Sequence, residues 1–103
     1  MTIREFQRLI EEIYFERDAR RGVGLTFAWF IEEVGELARD LVRPGRGTLS
    51  GEVADVCAWL VTLASLTGVD LEAAVRAKYA SGCPRCGAKP CSCPAAAENR
   101  EEH

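Results

Sequence analysis

The sequence contains a single histidine, His103, and no serine or cysteine is paired with a neighbouring histidine. Nucleophilic catalysis by serine or cysteine needs such a base beside it, so the residues offer no covalent route. Strand-type alternation and internal repeats are also missing, which predicts an all-α domain. The 13 Lys and Arg residues are scattered, and the formal net charge is -3. Because the chain lacks a basic stripe, we expect no duplex nucleic acid among its partners.

Neither a membrane-spanning run nor a leader segment is expected. We find no apolar run that approaches the length of a membrane span, and Met1-Thr-Ile-Arg-Glu5 lacks the charged-then-apolar plan of a signal peptide. With 103 residues, of which 48% are hydrophobic, the chain is expected to form one small cytoplasmic domain.

Four helices are predicted, at about residues 3–20, 26–42, 50–67 and 71–80. Thr2 and Glu5 form a capping-box pattern at the start of the first helix. Ser50 and Asp70 can cap the third and fourth helices. Because the loops between them are short, we expect a four-helix bundle-type fold.

The second and third helices carry the expected core. The third is apolar nearly all round, with Cys57 as a small core residue, and is predicted to be central and buried. A chain this short cannot wrap such a helix alone, so a homodimer or higher homo-oligomer is expected to complete the bundle. The core face of the second helix is predicted to be Phe27, Phe30, Ile31, Val34, Leu37, Ala38 and Leu41.

Two acidic pairs lie one helical turn apart within these helices: Glu33 with Glu36, and Glu52 with Asp55. Residues three apart share a helix face, and like charges that close repel by roughly 1 kcal/mol even in water. A cation between them would remove the repulsion, and clustered carboxylates suit Mg²⁺ or Mn²⁺, which usually handle phosphates. The alternative is that these are ordinary solvated charges.

The two motifs Glu32-Glu33-Val34-Gly35-Glu36 and Glu52-Val53-Ala54-Asp55 resemble those of the MazG-like family of all-α nucleoside triphosphate pyrophosphohydrolases. The resemblance covers roughly residues 3 to 80. It implies hydrolysis of a nucleotide between its α- and β-phosphates, releasing a monophosphate and pyrophosphate. It also implies that Glu33, Glu36, Glu52 and Asp55 are the Mg²⁺ ligands. Glu32, about 100° away around the helix, is a weaker candidate for a supporting group or a water-orienting base.

Four further residues are candidates for substrate binding. Arg43 and Arg46, on a glycine-rich loop, could grip phosphate oxygens, or the loop is a plain solvated connector. Lys78 matches a lysine near the end of the family's last helix, although a lysine there is also favoured by the helix dipole. Trp29, like Phe30 and Trp59, could stack a base, but aromatic residues at helical spacing are more often core.

The tail contains a cysteine cluster, Cys83-Pro-Arg-Cys86-Gly-Ala-Lys-Pro-Cys91-Ser-Cys93. Cys-x-x-Cys-Gly is a common half of a zinc knuckle, because two thiolates on one tight turn can reach a single tetrahedral ion. We therefore predict one structural Zn²⁺ held by all four cysteines. Redox-active thiols, disulfides and unligated cysteines remain alternatives. The chain is accordingly divided into a helical domain at 1–81, a zinc-knuckle segment at 82–94 and a disordered tail at 95–103.

The cysteine segment replaces the Asn and the basic, aromatic stretch that commonly follow the helical lysine in the MazG-like family. That departure leaves two interpretations open. The favoured one is a Mg²⁺-dependent nucleotide pyrophosphohydrolase with an accessory zinc knuckle. The other is a noncatalytic helical module that uses the knuckle to bind a protein or single-stranded nucleic acid.

Overall fold

The computed structural model describes residues 1–45 and 48–94. Within those residues it contains helices and no strand, which confirms the all-α prediction. The helices are α1 at Ile3–Val42, α2 at Leu49–Leu66 and α3 at Leu71–Tyr79. The chain divides into two compact units, Met1–Leu71 and Glu72–His103. The domain limits that we placed at residues 81 and 94 stay predictions, and the tail at 95–103 lies outside the described residues.

α1 joins the first two predicted helices into one element with a break at Gly22. The capping box at its start is confirmed, since the Glu5 N–H donates to the Thr2 hydroxyl and the Glu5 carboxylate accepts from the Thr2 N–H. At Gly22 the backbone takes φ 84° and ψ 169°, which is not helical. Glycine adopts a positive φ without steric cost, so the predicted loop shrinks to one residue. The prediction of four separate helices is therefore wrong.

α2 begins one residue earlier than predicted and ends where expected. Its N-cap is Thr48, and Ser50 lies inside the first helical turn, so the predicted cap at Ser50 is wrong. At the other end Thr67 is the C-cap and Gly68 has a φ of 74°, the left-handed conformation that commonly follows the end of a helix.

The interior of the first unit is small and rich in polar groups. Its buried apolar residues are Ile10, Val61 and Ala64, among the described residues. Gln7 is also buried, and both ends of its amide are used: Nε2 donates to the Val69 carbonyl at 2.9 Å, and Oε1 accepts from the Leu71 N–H at 3.0 Å. These bonds attach the first turns of α1 to the end of the α2–α3 connection. Satisfied buried polar groups of this kind avoid the desolvation cost of an unpaired amide.

The predicted core face of the second half of α1 is confirmed only at Phe30 and Leu37, which are half-buried in the single chain. Phe27 is 51% exposed, Ile31 49% and Leu41 61%. The less exposed side of this half of α1 joins those two residues to polar neighbours and consists of Thr26, Phe30, Glu33, Glu36, Leu37 and Asp40. The row that includes acids therefore packs towards the interior of the unit, and most of the apolar stripe stays on the surface.

α2 is not the buried central helix that its composition predicted. Its buried residues are Val61, Thr62 and Ala64, whereas Val53 is 51% exposed and Cys57, predicted as a core residue, is also exposed. The reason is geometric, because α1 lies along α2 and one covering helix shields one side. A broad apolar surface remains uncovered on the single chain.

α2 also corrects the expectation that no apolar run reaches the length of a membrane span. Over Leu49–Leu66 the mean hydropathy is 1.4, and 17% of these residues are buried. By length and composition alone this helix could cross a membrane, and it is the one such helix in residues 1–45 and 48–94. Glu52 and Asp55 lie inside the window, and carboxylates are costly within a bilayer. We expect a second copy of the chain to cover the exposed apolar surface of α2.

We predict that the protein is at least a dimer in solution, because exposed apolar patches on this scale mark association surfaces. Sedimentation equilibrium at micromolar concentration should give at least twice the chain mass of 11.3 kDa. Ile31→Glu, in the exposed stripe, should shift the protein towards monomer. Arg20→Glu, at an exposed charged position, is the matched control. A parent protein that sediments as a monomer would contradict the prediction.

Candidate functional site

Three carboxylates from two helices meet where α1 runs beside the start of α2. Oxygens of Glu33, Glu36 and Glu52 lie within 4.8 Å of one another, and all three residues are half-buried. Glu33 and Glu36 come from successive turns of one α1 face, while Glu52 comes from the first turn of α2. Packing the inward row of α1 against α2 therefore brings together three of the four predicted Mg²⁺ ligands.

Asp55, the fourth predicted ligand, lies at the edge of this group. It is exposed and falls outside the set of oxygens within 4.8 Å. Its charge is nevertheless close enough to raise the pKa of Glu33. Glu32 is also exposed and contributes a smaller effect on the pKa of Glu33 in the same direction. The structure thus places both residues beside the acidic group, on its solvent side.

Asp40 is a member of the site that the sequence analysis did not include. Among neighbouring charges it contributes most to raising the pKa of Glu52. Asp40 Oδ2 and Glu52 Oε1 are both buried without a hydrogen-bond partner, the two side-chain atoms of that kind among the described residues. The available signal was the spacing, since Asp40 falls one turn after Glu36 on the same helix face. Buried, unpartnered carboxylate oxygens are suited to a hard cation.

The electrostatics of the cluster reflect crowding and loss of water. The pKa of Glu33 is raised by burial first and then by the charges of Glu36 and Asp55, while a hydrogen bond with the Trp59 side chain opposes the shift. Burial is likewise the largest cause of the raised pKa of Glu52. Each shift means that the charged form is disfavoured in the fold. The cluster as it stands without a cation therefore costs folding free energy at neutral pH.

A cavity of about 290 Å³ adjoins the acidic group between the first half of α1 and α2. Asp55 lines this cavity and also lies at the edge of the acidic group, so it connects the two. The remaining lining combines aromatic, cationic and small residues: Ile10, Tyr14, Arg17, Asp18, Arg21, Ala58, Trp59 and Thr62. The lining therefore combines apolar and aromatic surface with several charged and hydrogen-bonding groups, which suits a small polar ligand.

Arg21 is held in a defined position within this cavity. Its Nη1 lies 3.0 Å from Asp18 Oδ1 and donates to Thr26 Oγ1 at 3.1 Å. Its guanidinium carbon lies 5.0 Å from the centroid of the Trp59 ring. The buried Asp18 accepts in turn from the Thr62 hydroxyl at 3.3 Å. The sequence did not predict this network because its members come from both helices. The one signal along the chain was the spacing of three residues between Asp18 and Arg21.

The other predicted substrate-binding residues fall into three cases: Trp29 and Arg43 of the first unit do not line that cavity, Lys78 belongs to the second unit, and Arg46 lies outside the described residues. Trp29 is 44% exposed and does not line the cavity. Arg43 lines a separate shallow cleft near the end of α1, and Arg46 lies outside the described residues. Lys78 is on α3 in the second unit, with its Nζ 5.7 Å from the centroid of the Tyr79 ring. Their contacts with substrate stay predictions.

The four tail cysteines are brought together within the second unit. The sulfur atoms of Cys83, Cys86, Cys91 and Cys93 all lie within 4.8 Å of one another. Hydrogen bonds from Ser92 lower the pKa of Cys86 to about 6, whereas hydrogen bonding with Cys91 and Cys83 raises the pKa of Cys93 to about 12. The thiols therefore form one interacting group.

Comparison with known families identifies the helical part. The MazG nucleotide pyrophosphohydrolase domain matches residues 22–86, which is more than half of the chain. The chain therefore belongs to the MazG nucleotide pyrophosphohydrolase family, as its paired acidic motifs implied. No curated protein matches it significantly. The matched range starts at the break in α1 and includes all of the acidic group, whereas Cys91 and Cys93 lie beyond it.

We predict that, in the absence of metal, the acidic cluster destabilises the fold as the pH rises. Below the ordinary glutamate pKa of 4.5, Glu33 and Glu52 are protonated in both folded and unfolded chains, so the cost vanishes. As the pH rises from 4.5 through their raised pKa values, the folded state holds protons that the unfolded state has lost, and stability falls. At neutral pH, Mg²⁺ should raise the melting temperature.

Glu33→Gln isolates this effect from other titrations. In chelator at pH 7 the variant should melt above the parent, since it removes a carboxylate whose charged form the fold disfavours. The difference between the two proteins should shrink towards pH 4, and Mg²⁺ should stabilise the variant less. Glu12→Gln, at an exposed position on α1, is the control. An equal Mg²⁺ response in Glu33→Gln and the parent would contradict the assignment.

Proposed function

We propose that the protein is a Mg²⁺- or Mn²⁺-dependent hydrolase that cleaves a nucleoside triphosphate between its α- and β-phosphates. The products are a nucleoside monophosphate and pyrophosphate. The observation that carries the proposal is the group of Glu33, Glu36 and Glu52 oxygens within 4.8 Å, in a chain of the MazG nucleotide pyrophosphohydrolase family. Family membership is established, whereas the triphosphate substrate and the metal dependence are part of the proposal.

The residues present fit a divalent cation. Glu33, Glu36 and Glu52 would hold it, with Asp55 at the edge, and Asp40 supplies a further buried oxygen without a partner. All of these donors are carboxylates, the ligands that Mg²⁺ and Mn²⁺ prefer. When bound, the ion supplies charge neutralisation for phosphate oxygens and acidifies a coordinated water. Without that neutralisation a triphosphate would be repelled by the acidic group.

The cavity beside the acids provides the place for the rest of the nucleotide. Trp59 offers an aromatic face at the point where the cavity meets Asp55, and Arg21 lies over that ring. Arg17 adds a second cation to the lining. We propose that the phosphates lie at the acids and that the base enters the cavity, because the cavity presents the Trp59 ring next to Asp55.

The chain's own residues then orient the reactants. The hydrogen bond with Trp59 fixes Glu33, and the Asp18–Arg21 ion pair at 3.0 Å keeps the guanidinium in the cavity. Hydrolysis adds water across the bond between the α- and β-phosphates: the water oxygen joins one phosphorus, the bridging oxygen leaves with the other, and a proton is released. Glu32, exposed beside Glu33, is the proposed base that orients the water and accepts its proton.

Asp55→Asn and Glu36→Gln should each lower Mg²⁺-dependent pyrophosphate release at least about 100-fold, because each removes a charge while nearly preserving shape. The helical circular dichroism of both variants should match the parent. A panel of ribo- and deoxynucleoside triphosphates, assayed for pyrophosphate, defines the substrate class. Glu12→Gln serves as the control. If the parent hydrolyses none of these nucleotides, the noncatalytic binding module becomes the better interpretation.

Trp59→Leu should lower kcat/KM about 10-fold or more, because stacking of a base on an aromatic side chain contributes about 1–3 kcal/mol. Trp59→Phe should recover most of that loss by restoring an aromatic face without the indole N–H. Steady-state kinetics with the best substrate from the panel provide the measurement. A loss confined to Trp29→Leu would instead place the base against Trp29, another of the stacking candidates.

A further inference from the structure

The four tail cysteines have sulfur spacings that resemble a tetrahedron. Cys83 Sγ lies 3.7 Å from Cys93 Sγ and 3.6 Å from Cys91 Sγ, and Cys86 Sγ lies 3.9 Å from Cys91 Sγ. Four sulfurs placed tetrahedrally about 2.3 Å from a Zn²⁺ ion are about 3.8 Å apart. These three distances therefore bracket the value for one shared ion. They are well beyond the roughly 2.05 Å of a disulfide bond.

Backbone hydrogen bonds in the segment form a tight turn that brings Cys83 and Cys86 close together. The Cys83 N–H donates to the Ala88 carbonyl at 3.0 Å, and the Gly87 N–H donates to the Cys83 carbonyl at 2.7 Å. These bonds close the first turn, which contains Cys83 and Cys86. Gly82 precedes that turn with a φ of 117°, and a Cβ there would lie 3.0 Å from the carbonyl oxygens of Gly87 and Ala88. Only glycine fits this entry to the turn without strain.

Backbone amides are also directed at the sulfurs. The Ser92 N–H donates to Cys86 Sγ at 3.3 Å, and the Cys93 N–H donates to Cys91 Sγ at 3.3 Å. Such bonds orient thiolate ligands and disperse their negative charge around a metal. The second half of the cluster thus donates a hydrogen bond to a sulfur of the first half, although four residues separate Cys86 from Cys91 in the sequence.

The described residues of this segment do not form a hydrophobic core. Of the described residues from 72 to 94, none is buried, so no hydrophobic core holds this chain in place. Short segments of this kind are commonly stabilised by a metal instead. We propose that residues 82–94 bind one Zn²⁺ ion through the four thiolates of Cys83, Cys86, Cys91 and Cys93. Four protein ligands fill the coordination sphere, which makes the site structural and separate from the proposed hydrolysis.

Metal analysis tests the site directly. Full-length protein purified under reducing conditions without chelators should contain about one zinc per chain. Replacement by Co²⁺ should produce the sulfur-to-cobalt charge-transfer band and the intense visible bands of tetrahedral thiolate ligation. Carboxylates lack that charge-transfer band, so Co²⁺ at the acidic group would not imitate the result.

Cysteine variants supply the matched comparison. Cys86→Ser and Cys91→Ser should each weaken zinc binding at least about 100-fold, whereas Cys57→Ser, at an exposed cysteine of α2, should keep the full zinc content. Removing zinc should make the tail thiols reactive while the helical circular dichroism of the first unit persists, because its core lies elsewhere.

Several outcomes would overturn the proposal, and none depends on hydrolytic activity. They are a zinc-free protein with four freely reactive tail thiols, tail disulfides in protein kept under reducing conditions, and full zinc content in the double variant Cys86→Ser/Cys91→Ser. A protein that contains thiolate-bound zinc but hydrolyses no nucleotide would uphold the site while defeating the proposed function.

Discussion

The central constraint on the first unit is the repulsion among carboxylates that its two packed helices bring together. α1 turns a row containing Glu33 and Asp40 towards the interior, against the first turn of α2, which carries Glu52. Burial and neighbouring charges raise the pKa values of Glu33 and Glu52, so folding alone gains nothing from this arrangement. Such a cost is characteristic of a functional site, where local stability is given up for chemistry.

The same choice of packing face explains the exposed apolar surface. With the acid-bearing row of α1 turned inward, the stripe through Phe27 and Ile31 is left outside, and α2 is covered on one side only. One orientation of α1 thus has two effects. It assembles the carboxylates, and it leaves an apolar face available for a second copy of the chain.

Hydrogen bonds and an ion pair fix the arrangement of side chains in the small interior. Gln7 attaches the start of α1 to the chain after α2, and Asp18 and Thr62 hold Arg21 beside Trp59. Hydrogen-bonded groups specify one arrangement more sharply than apolar contacts do, because their geometry is directional. The break at Gly22 lies immediately after Arg21, so the kink in α1 and the wall of the cavity occur at the same place.

Local spacing along the chain was enough to predict the helical class, the capping box at Thr2, the interruption near Gly22 and the paired acids. Those features depend on contacts within one or two helical turns, which sequence order largely determines. The rotation of α1 against α2 was decided only by the tertiary structure. It placed Asp40 close enough to raise the pKa of Glu52, left Asp55 at the edge of the acidic group, and brought Arg21 over the Trp59 ring. Periodicity identified an apolar stripe but could not tell that packing would favour the neighbouring row, because relative helix rotation depends on long-range contacts.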